Sequence, residues 1–460
     1  MTEHPPGTPA AEPAADCSCP HLPEGPRLTT AQLHAMETEH LLTSWEEYAR
    51  TYGPVFTLHT ENAAPRVYVS DPTSIRQLFI SDRTTWHARG TLYFRPVIGT
   101  QALPYLTGHA HRAIRLLLAP PLHGEPVRAL GSALDDIITT ALDHLRGLRQ
   151  PLIDVTRDIT LRLIVRAAFG QLPQHRHEHC VHLLTDIMDL MYEPTATSGN
   201  DPDGLLRQIG SLVQQVQDFV TQEAAAARQA PAARRDDLVF HLATSRAAPA
   251  DEQIRGHIMT LLIAGHDTTA SALAWALYQL ELHPAIRHRL HTELDRLGPT
   301  PTPADTVKLP YLNAVCAETL RHGSVVPAGL ARITPADLDW NGHRFPAGTE
   351  LVPAIHLLHR RPDLYPDPER FDPERFLNNK PLGTHYLPFG TGTRRCPGAE
   401  LAEFELPLAL ARLTRTPGLR LIGAVPGLRT VKNGPTMTIP ASLQVTLEAP
   451  PTPRAQDTQP

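Results

Sequence analysis

Phe389-Gly390-Thr391-Gly392-Thr393-Arg394-Arg395-Cys396-Pro397-Gly398 is the stretch whose reading decides the fold. Gly390 and Gly392 let a backbone come close to another group. Pro397 suits the first turn of a helix, and Ala399 to Phe404 continue it, so a helix is expected over about 397–415. Cys396 then stands between loop amides and the positive end of that helix. Such a setting lowers a thiol's pKa and favours the thiolate. A thiolate there can act as a nucleophile, a redox thiol or a metal ligand. Pro407, inside the same helix, predicts a kink or break near Glu403.

A second stretch upstream breaks local rules. Asp251 follows Pro249-Ala250 as a helix cap, and helical periodicity then runs to Leu282, where Pro284 stops it. A helix of about 30 residues is roughly 45 Å long and crosses a whole domain. It is apolar on nearly all faces (Ile258, Met259, Leu261, Leu262, Ile263, Leu273, Trp275, Leu277), which makes it central. Yet its middle reads Ala264-Gly265-His266-Asp267-Thr268-Thr269. Gly costs about 1 kcal/mol against Ala in a helix interior, and Asp and Thr are poor formers too. A buried acid needs a partner or carries a desolvation cost. Two readings remain: a simple kink, or a widened turn beside a bound group with an acid and an alcohol to handle protons.

Around these stretches the chain is ordinary in bulk. It has 460 residues, 41% of them hydrophobic, and a net charge of −6. Length alone would allow about three domains. No linker is visible after about Thr29, and the segments 125–149, 153–170 and 203–229 carry helical periodicity. Val55 to Leu58 and Arg66 to Val69 read as a strand and its return. From 345 onward the chain reads as loops with the one Cys-loop helix. The expected fold class is mainly α with a small β region. Residues 1–26 and 450–460 are Pro-rich and read as disordered tails around one folded unit, 27–449.

Composition excludes several functions. There is no basic block, so no nucleic acid is expected as a partner. No run of 18 apolar residues exists, so no membrane anchor is expected, and Met1 to Pro26 has no apolar core of a secretory signal. The five Cys (17, 19, 180, 316 and 396) form no disulfide framework, which suits a reducing, cytoplasmic setting. Cys17 and Cys19, one residue apart, do not have a zinc spacing.

The Cys396 loop resembles Phe-Gly-x-Gly-x-Arg-x-Cys-x-Gly, the haem-binding signature of the cytochrome P450 family. Ala264-Gly265-His266-Asp267-Thr268 is similar to the family's oxygen-activating segment, and Glu318-Thr319-Leu320-Arg321 to its Glu-x-x-Arg motif. Pro373-Glu374-Arg375-Phe376 resembles the motif that follows, and His111 with Arg115 the family's haem-propionate contacts. All five stand in family order. The resemblance implies haem b (iron protoporphyrin IX) between the long central helix and the Cys-loop helix, with Cys396 as its metal ligand. His111, Arg115, Arg332 and Arg394 are then propionate contacts. Phe389 shields the sulfur, and Gly390 and Ala264 face the cofactor. Glu318, Arg321 and Arg375 form a structural network that holds the Cys loop. Asp267 and Thr268 resemble the acid–alcohol pair that supplies protons while dioxygen is cleaved.

The chain departs from the family pattern after Arg321. It reads His322-Gly323-Ser324-Val325-Val326-Pro327 where many members have an aromatic and two prolines. By analogy, Val325, Val326 and Ala328 line the substrate pocket together with Ile263, Met437, Tyr93 and Phe94. The last two lie in a segment, His87 to Gln101, that is expected to form a mobile lid. The resemblance implies insertion of one oxygen atom from O2 into a hydrophobic small molecule: a terpenoid, a polyketide or macrolactam, or a fatty acid, in specialised metabolism. Epoxidation, desaturation and C–C coupling are alternatives on the same scaffold, and so is a haem-thiolate sensor. Electrons are expected from NAD(P)H through a ferredoxin reductase and a ferredoxin, docking on a patch of Arg112, Arg394, Arg395 and Arg412.

Overall fold

The computed structural model describes residues 22–61, 63–80, 87–89, 94–192, 202–229, 237–298, 301–377 and 383–448. The central helix forms as Asp251–Leu282, and Pro284 opens the next helix, Pro284–Asp295. Its cap lies one residue earlier than expected. Ala250 is the N-cap, its N–H donating to Gln253 Oε1 at 3.1 Å, while Asp251 sits in the first turn and accepts from Arg228. A first-turn acid still complements the positive end of the helix.

Two apolar clusters grip this helix. Ile254, Ile258, Met259, Leu261, Leu262 and Ile263 pack with the helices Leu152–Phe169, Gln174–Tyr192 and Pro202–Gln229. Residues from Ala270 to Leu280 pack instead with Glu125–Leu145, Pro310–His322 and Ala399–Thr414. The polar stretch 264–269 lies at the seam. Fully burying a Leu or Ile side chain contributes about 1.5–3 kcal/mol. The poor formers in the seam cost about 1 kcal/mol or less each. Packing therefore outweighs propensity, and the helix stays α-helical throughout. Gly265 is needed for space, since a Cβ there would lie 2.8 Å from Ile164 Cδ1.

The small β region is larger than the sequence suggested. One six-stranded sheet runs in spatial order Arg27–Leu28, Val55–Thr60, Ala63–Val69, Glu350–Pro353, Ala331–Ile333 and His87–Arg89. A three-stranded sheet joins Leu419–Ile422, Gln444–Leu447 and Arg149–Pro151, and Val431–Asn433 pairs with Thr436–Thr438. Several of these strands, and the short helix Ile355–His359, fall in the region expected to be loops. They are too short to show a period. Thr57 N donates to Glu24 O at 3.2 Å and His59 N to Pro26 O at 3.0 Å, so residues just before Arg27 already lie along the sheet.

Pro407 does not break the Cys-loop helix, which runs without interruption over Ala399–Thr414. Proline removes the N–H that would have reached Glu403, but Phe404, Leu406, Ala409 and Leu410 are buried on both sides of it.

Candidate active site

The Cys396 loop closes on itself. Cys396 N donates to Phe389 O at 2.8 Å and Gly390 N to Leu387 O at 3.0 Å. Gly390 and Gly392 have φ of 62° and 67°, the left-handed region that glycine enters without strain, so the turn itself demands them. The Cys-loop helix begins only at Ala399, with Gly398 as its N-cap, so Cys396 stands ahead of it. Burial raises the Cys396 pKa above the usual thiol range. The Gly398 amide, Arg395 and Arg115 pull it down by less. This reverses the expected sign: helix and cations alone do not make the thiolate, because desolvation outweighs them. A cationic metal does so outright.

Cys396 keeps accessible surface although it lies deep in the fold, which means that it faces an internal space. Ala264 is likewise exposed in the middle of a helix whose neighbours Ile263 and His266 are buried. Cations stand near the Cys loop. Arg394 Nη2 donates to the carbonyl of Leu106 at 2.7 Å, tying the loop to the start of the helix Gly108–Leu118. That helix presents buried His111 and, one turn on, Arg115, whose pKa burial lowers, with Arg395 adding to that and the nearby Cys396 sulfur opposing it by less. Arg332 is fully buried on the strand Ala331–Ile333; its Nη1 donates to Leu330 O at 2.6 Å and its guanidinium lies 4.9 Å from the Phe79 ring. One thiol, a small residue on a central helix and four cationic or ionisable side chains are the donor set that haem with two propionates needs. The residues present fit that group. Phe389 lies beside the loop with the Arg395 guanidinium 6.0 Å from its ring.

Glu318 and Arg321 are both wholly buried and joined twice, Nε to Oε2 at 2.7 Å and Nη2 to Oε1 at 2.8 Å. Arg375 Nε and the Asp372 amide also donate to Glu318 Oε1, at 3.2 and 2.8 Å. Arg321 Nη1 donates to the carbonyl of His359 at 2.9 Å, and His359 Nε2 accepts from Leu387 N at 2.9 Å. Burial holds the His359 pKa down at about 3, so the ring stays neutral and can accept. His359 is thus the link between this network and the Cys loop. The sequence reading missed it; its distance along the chain from Arg321 left no local signal.

Asp267 is buried too, but its partners differ. Arg157 Nε donates to Oδ1 at 2.8 Å and Thr436 Oγ1 to Oδ2 at 2.9 Å. Tyr192 Oη and Asn433 Nδ2 reach it at 3.4 and 3.5 Å. Thr268 is partly exposed and its Oγ1 donates to the carbonyl of Ala264 at 3.1 Å. The four partners of Asp267 come from three other segments and went unread in the sequence.

The expected pocket residues separate. Ile263 and Met437 are buried, and Met437 N donates to Val325 O at 2.8 Å. Val326 is 37% exposed. Val325, however, packs in the core with Trp275, and Ala328 leans on the cluster around Trp45. Phe94 is partly buried and packs against the cluster around Ile98, whereas Tyr93 lies outside the described residues. Parts of the expected lid are regular: the strand His87–Arg89 and the helical turn Arg95–Ile98.

Comparison with known proteins agrees with this geometry. The family profile "Cytochrome P450" matches residues 20–416. A Mycobacterium tuberculosis protein named cytochrome P450 135B1 is 32% identical over 410 residues, 86% of this chain and 84% of the relative. The cyclooctat-9-en-7-ol 5-monooxygenase of Streptomyces melanosporofaciens is 28% identical over 390 residues, covering 77% and 82% of the two chains. Among solved structures, a retinoic-acid-bound cyanobacterial CYP120A1 superimposes with a TM-score of 0.77 at 25% identity, covering 92% of this chain and 99% of the other. The haem domain of cytochrome P450DA gives a TM-score of 0.80 at 21% identity, over 92% and 97% of the two chains, a likeness of fold. The match along most of the chain, on residues already gathered around Cys396, shows that this protein belongs to the cytochrome P450 family of haem-thiolate monooxygenases.

Proposed function

We propose that this chain is a monooxygenase that hydroxylates an apolar isoprenoid of the terpenoid class. The observation that carries the reading is the intact pair Asp267-Thr268 beside the exposed Ala264, preceded on the same helix by the apolar Ile263. The substrate class rests on the two relatives whose names give a small molecule, cyclooctat-9-en-7-ol and retinoic acid, both isoprenoid skeletons.

Bound haem supplies the chemistry that cleaves dioxygen and oxidises a C–H bond. The chain's own residues do the rest. Cys396 ligates through sulfur, with the Gly398 amide donating to it and tempering its charge. Arg115, Arg332, Arg394 and His111 hold the two propionates. The Thr268 hydroxyl, now spent on the Ala264 carbonyl, turns to hold a proton at the reaction centre. Asp267 relays protons inward. Its partner Arg157 is 25% exposed, which gives the carboxylate a route towards solvent.

Electrons come from NAD(P)H through a ferredoxin reductase and a ferredoxin, in the cytoplasm. Two charges of the expected docking patch are offset: Arg395 pairs with Glu403 at 3.3 Å and Arg412 with Asp135 at 3.0 Å. Arg112 is exposed and leads the patch. Among the described residues no helix is long and apolar enough to cross a membrane. The test is turnover with ferredoxin, reductase and NADPH over a panel of cyclic terpene alcohols and retinoids, with product mass as readout. Gain of one oxygen atom supports the reading. A dehydrogenated or coupled product, or oxidation confined to fatty acids, overturns it.

A further inference from the structure

Where the chain departs from its family's pattern, the structure holds an array of three polar side chains. Ser324 Oγ lies 2.8 Å from His356 Nδ1, and His356 Nε2 lies 2.7 Å from Glu46 Oε1. Ser324 and His356 are buried, at 4% and 1% exposure, while Glu46 on the helix Leu41–Tyr52 is half-buried. Burial holds the His356 pKa below the usual imidazole value, and Glu46 is held below the usual carboxylate value by His356 and Arg360. A neutral ring facing an ionised carboxylate donates from Nε2, so Nδ1 accepts the Ser324 O–H. The order serine, histidine, acid is that of a nucleophilic triad, but Ser324 is too buried to meet a substrate.

The backbone gives the array another use. Ser324 has φ of 48°, a left-handed conformation that a non-glycine residue holds only when its surroundings impose it. His356 also donates its backbone N–H to Pro327 O at 2.9 Å. One residue therefore grips both ends of Ser324-Val325-Val326-Pro327, through its ring at one end and its main chain at the other. Met437 N holds the middle at Val325 O, 2.8 Å away. Between these pins Val326 alone keeps a large exposed side chain.

We propose that His356, anchored by Glu46, is a positioning residue for ligand selection: it holds Ser324 in its strained turn and so sets how far Val326 stands into the haem pocket. This rests on the reading that Val326 lines that pocket. Loss of the ring's hydrogen bond lets Ser324 relax to negative φ, and Val326 moves with it. Glycine at 324 adopts the left-handed turn without help, so it should make His356 dispensable.

The test uses haem-loaded protein and two probes that bind haem iron through nitrogen: imidazole, too small to meet Val326, and 4-phenylimidazole, which is not. Soret titrations give both dissociation constants for wild type, His356→Leu, Glu46→Gln, Val326→Ala, and Ser324→Gly with His356→Leu. The expected result is a change of about tenfold in the ratio of the two constants for His356→Leu, the scale of a misplaced methyl group or two in an apolar pocket. Glu46→Gln, at a half-exposed site that tolerates the change, shifts the ratio in the same direction by less. The double variant returns it to within about twofold of wild type. If Val326→Ala shifts the ratio and neither His356→Leu nor Glu46→Gln does, the positioning role is wrong and the pocket reading stands. If Val326→Ala leaves the ratio unchanged, the pocket reading fails and takes the proposal with it. Should His356→Leu not load haem, Glu46→Gln decides alone: a ratio that it leaves unmoved overturns the proposal.

Discussion

Two buried carboxylates in this protein, Glu318 and Asp267, are the same chemical group held in two ways. Glu318 is fully enclosed and meets Arg321, Arg375 and a main-chain amide within 3.2 Å, with the arginines locked in turn onto carbonyls. Asp267 has two close partners and two at 3.4 Å or more, and Arg157 reaches solvent. The difference teaches that burial alone says little about role. A carboxylate whose every lone pair is taken by short bonds defines geometry. One with slack partners and a solvent-facing cation can change its hydrogen bonds, which proton movement requires.

Breaking the tighter site should cost most. Glu318→Gln leaves Arg321 buried with its charge uncompensated, a loss of roughly 3–5 kcal/mol. Thermal unfolding should register it, together with a weakened haem-thiolate Soret band of the reduced carbon monoxide complex, since the network reaches Leu387 through His359. A folded variant with an intact band would mean that the network does not hold the Cys loop. Asp267→Asn should do the opposite. We expect the band to persist and product formation to fall about a hundredfold, the scale of one lost acid–base group. Unchanged turnover would remove Asp267 from the proton path.

A third acid sharpens the contrast. Glu405, on the Cys-loop helix, is buried, its Oε1 has no hydrogen-bond partner among the described residues, and desolvation holds its pKa well above the carboxylate range. The folded state keeps this proton where the unfolded chain has lost it. Stability contributed by the group is therefore full below the ordinary Glu pKa of about 4.3 and falls as pH rises towards the folded value. The slope is at most about 1.4 kcal/mol per pH unit. Glu405→Gln, neutral at every pH, should flatten that part of the melting-temperature profile; a profile identical to wild type would show the carboxyl to be ionised or hydrated. The smallest effect is expected of Tyr192→Phe. Its contact to Asp267 is long, and its loss should cost about 0.5 kcal/mol or less in stability and under about threefold in turnover. A larger loss would place Tyr192 on the proton path.

What could be read before the structure was local. Glu318 and Arg321, three apart, had to share a helix face, and the central helix announced itself by continuous apolarity and its stop at Pro284. The Cys396 loop was legible because its glycines, proline and cysteine act within ten residues. The errors were of a different kind. Pro407 promised a kink or break where the helix runs on uninterrupted, and the helix end beside Cys396 a lowering of its thiol pKa that burial outweighs. Arg157, Thr436 and His359 were missed because they meet their partners far along the chain.

The sequence by itself determined the elements, the cysteine and the order of the motifs, since hydrophobic period, turn chemistry and spacing are properties of neighbours. Only the tertiary structure decided which of the buried acids is locked and which has slack, how the Cys loop is tied to Glu318, and that His356 brackets the segment carrying Val326. Those outcomes depend on desolvation and on which donors converge on one point, and both are set by segments from about thirty to about three hundred residues apart that touch only when the chain is folded.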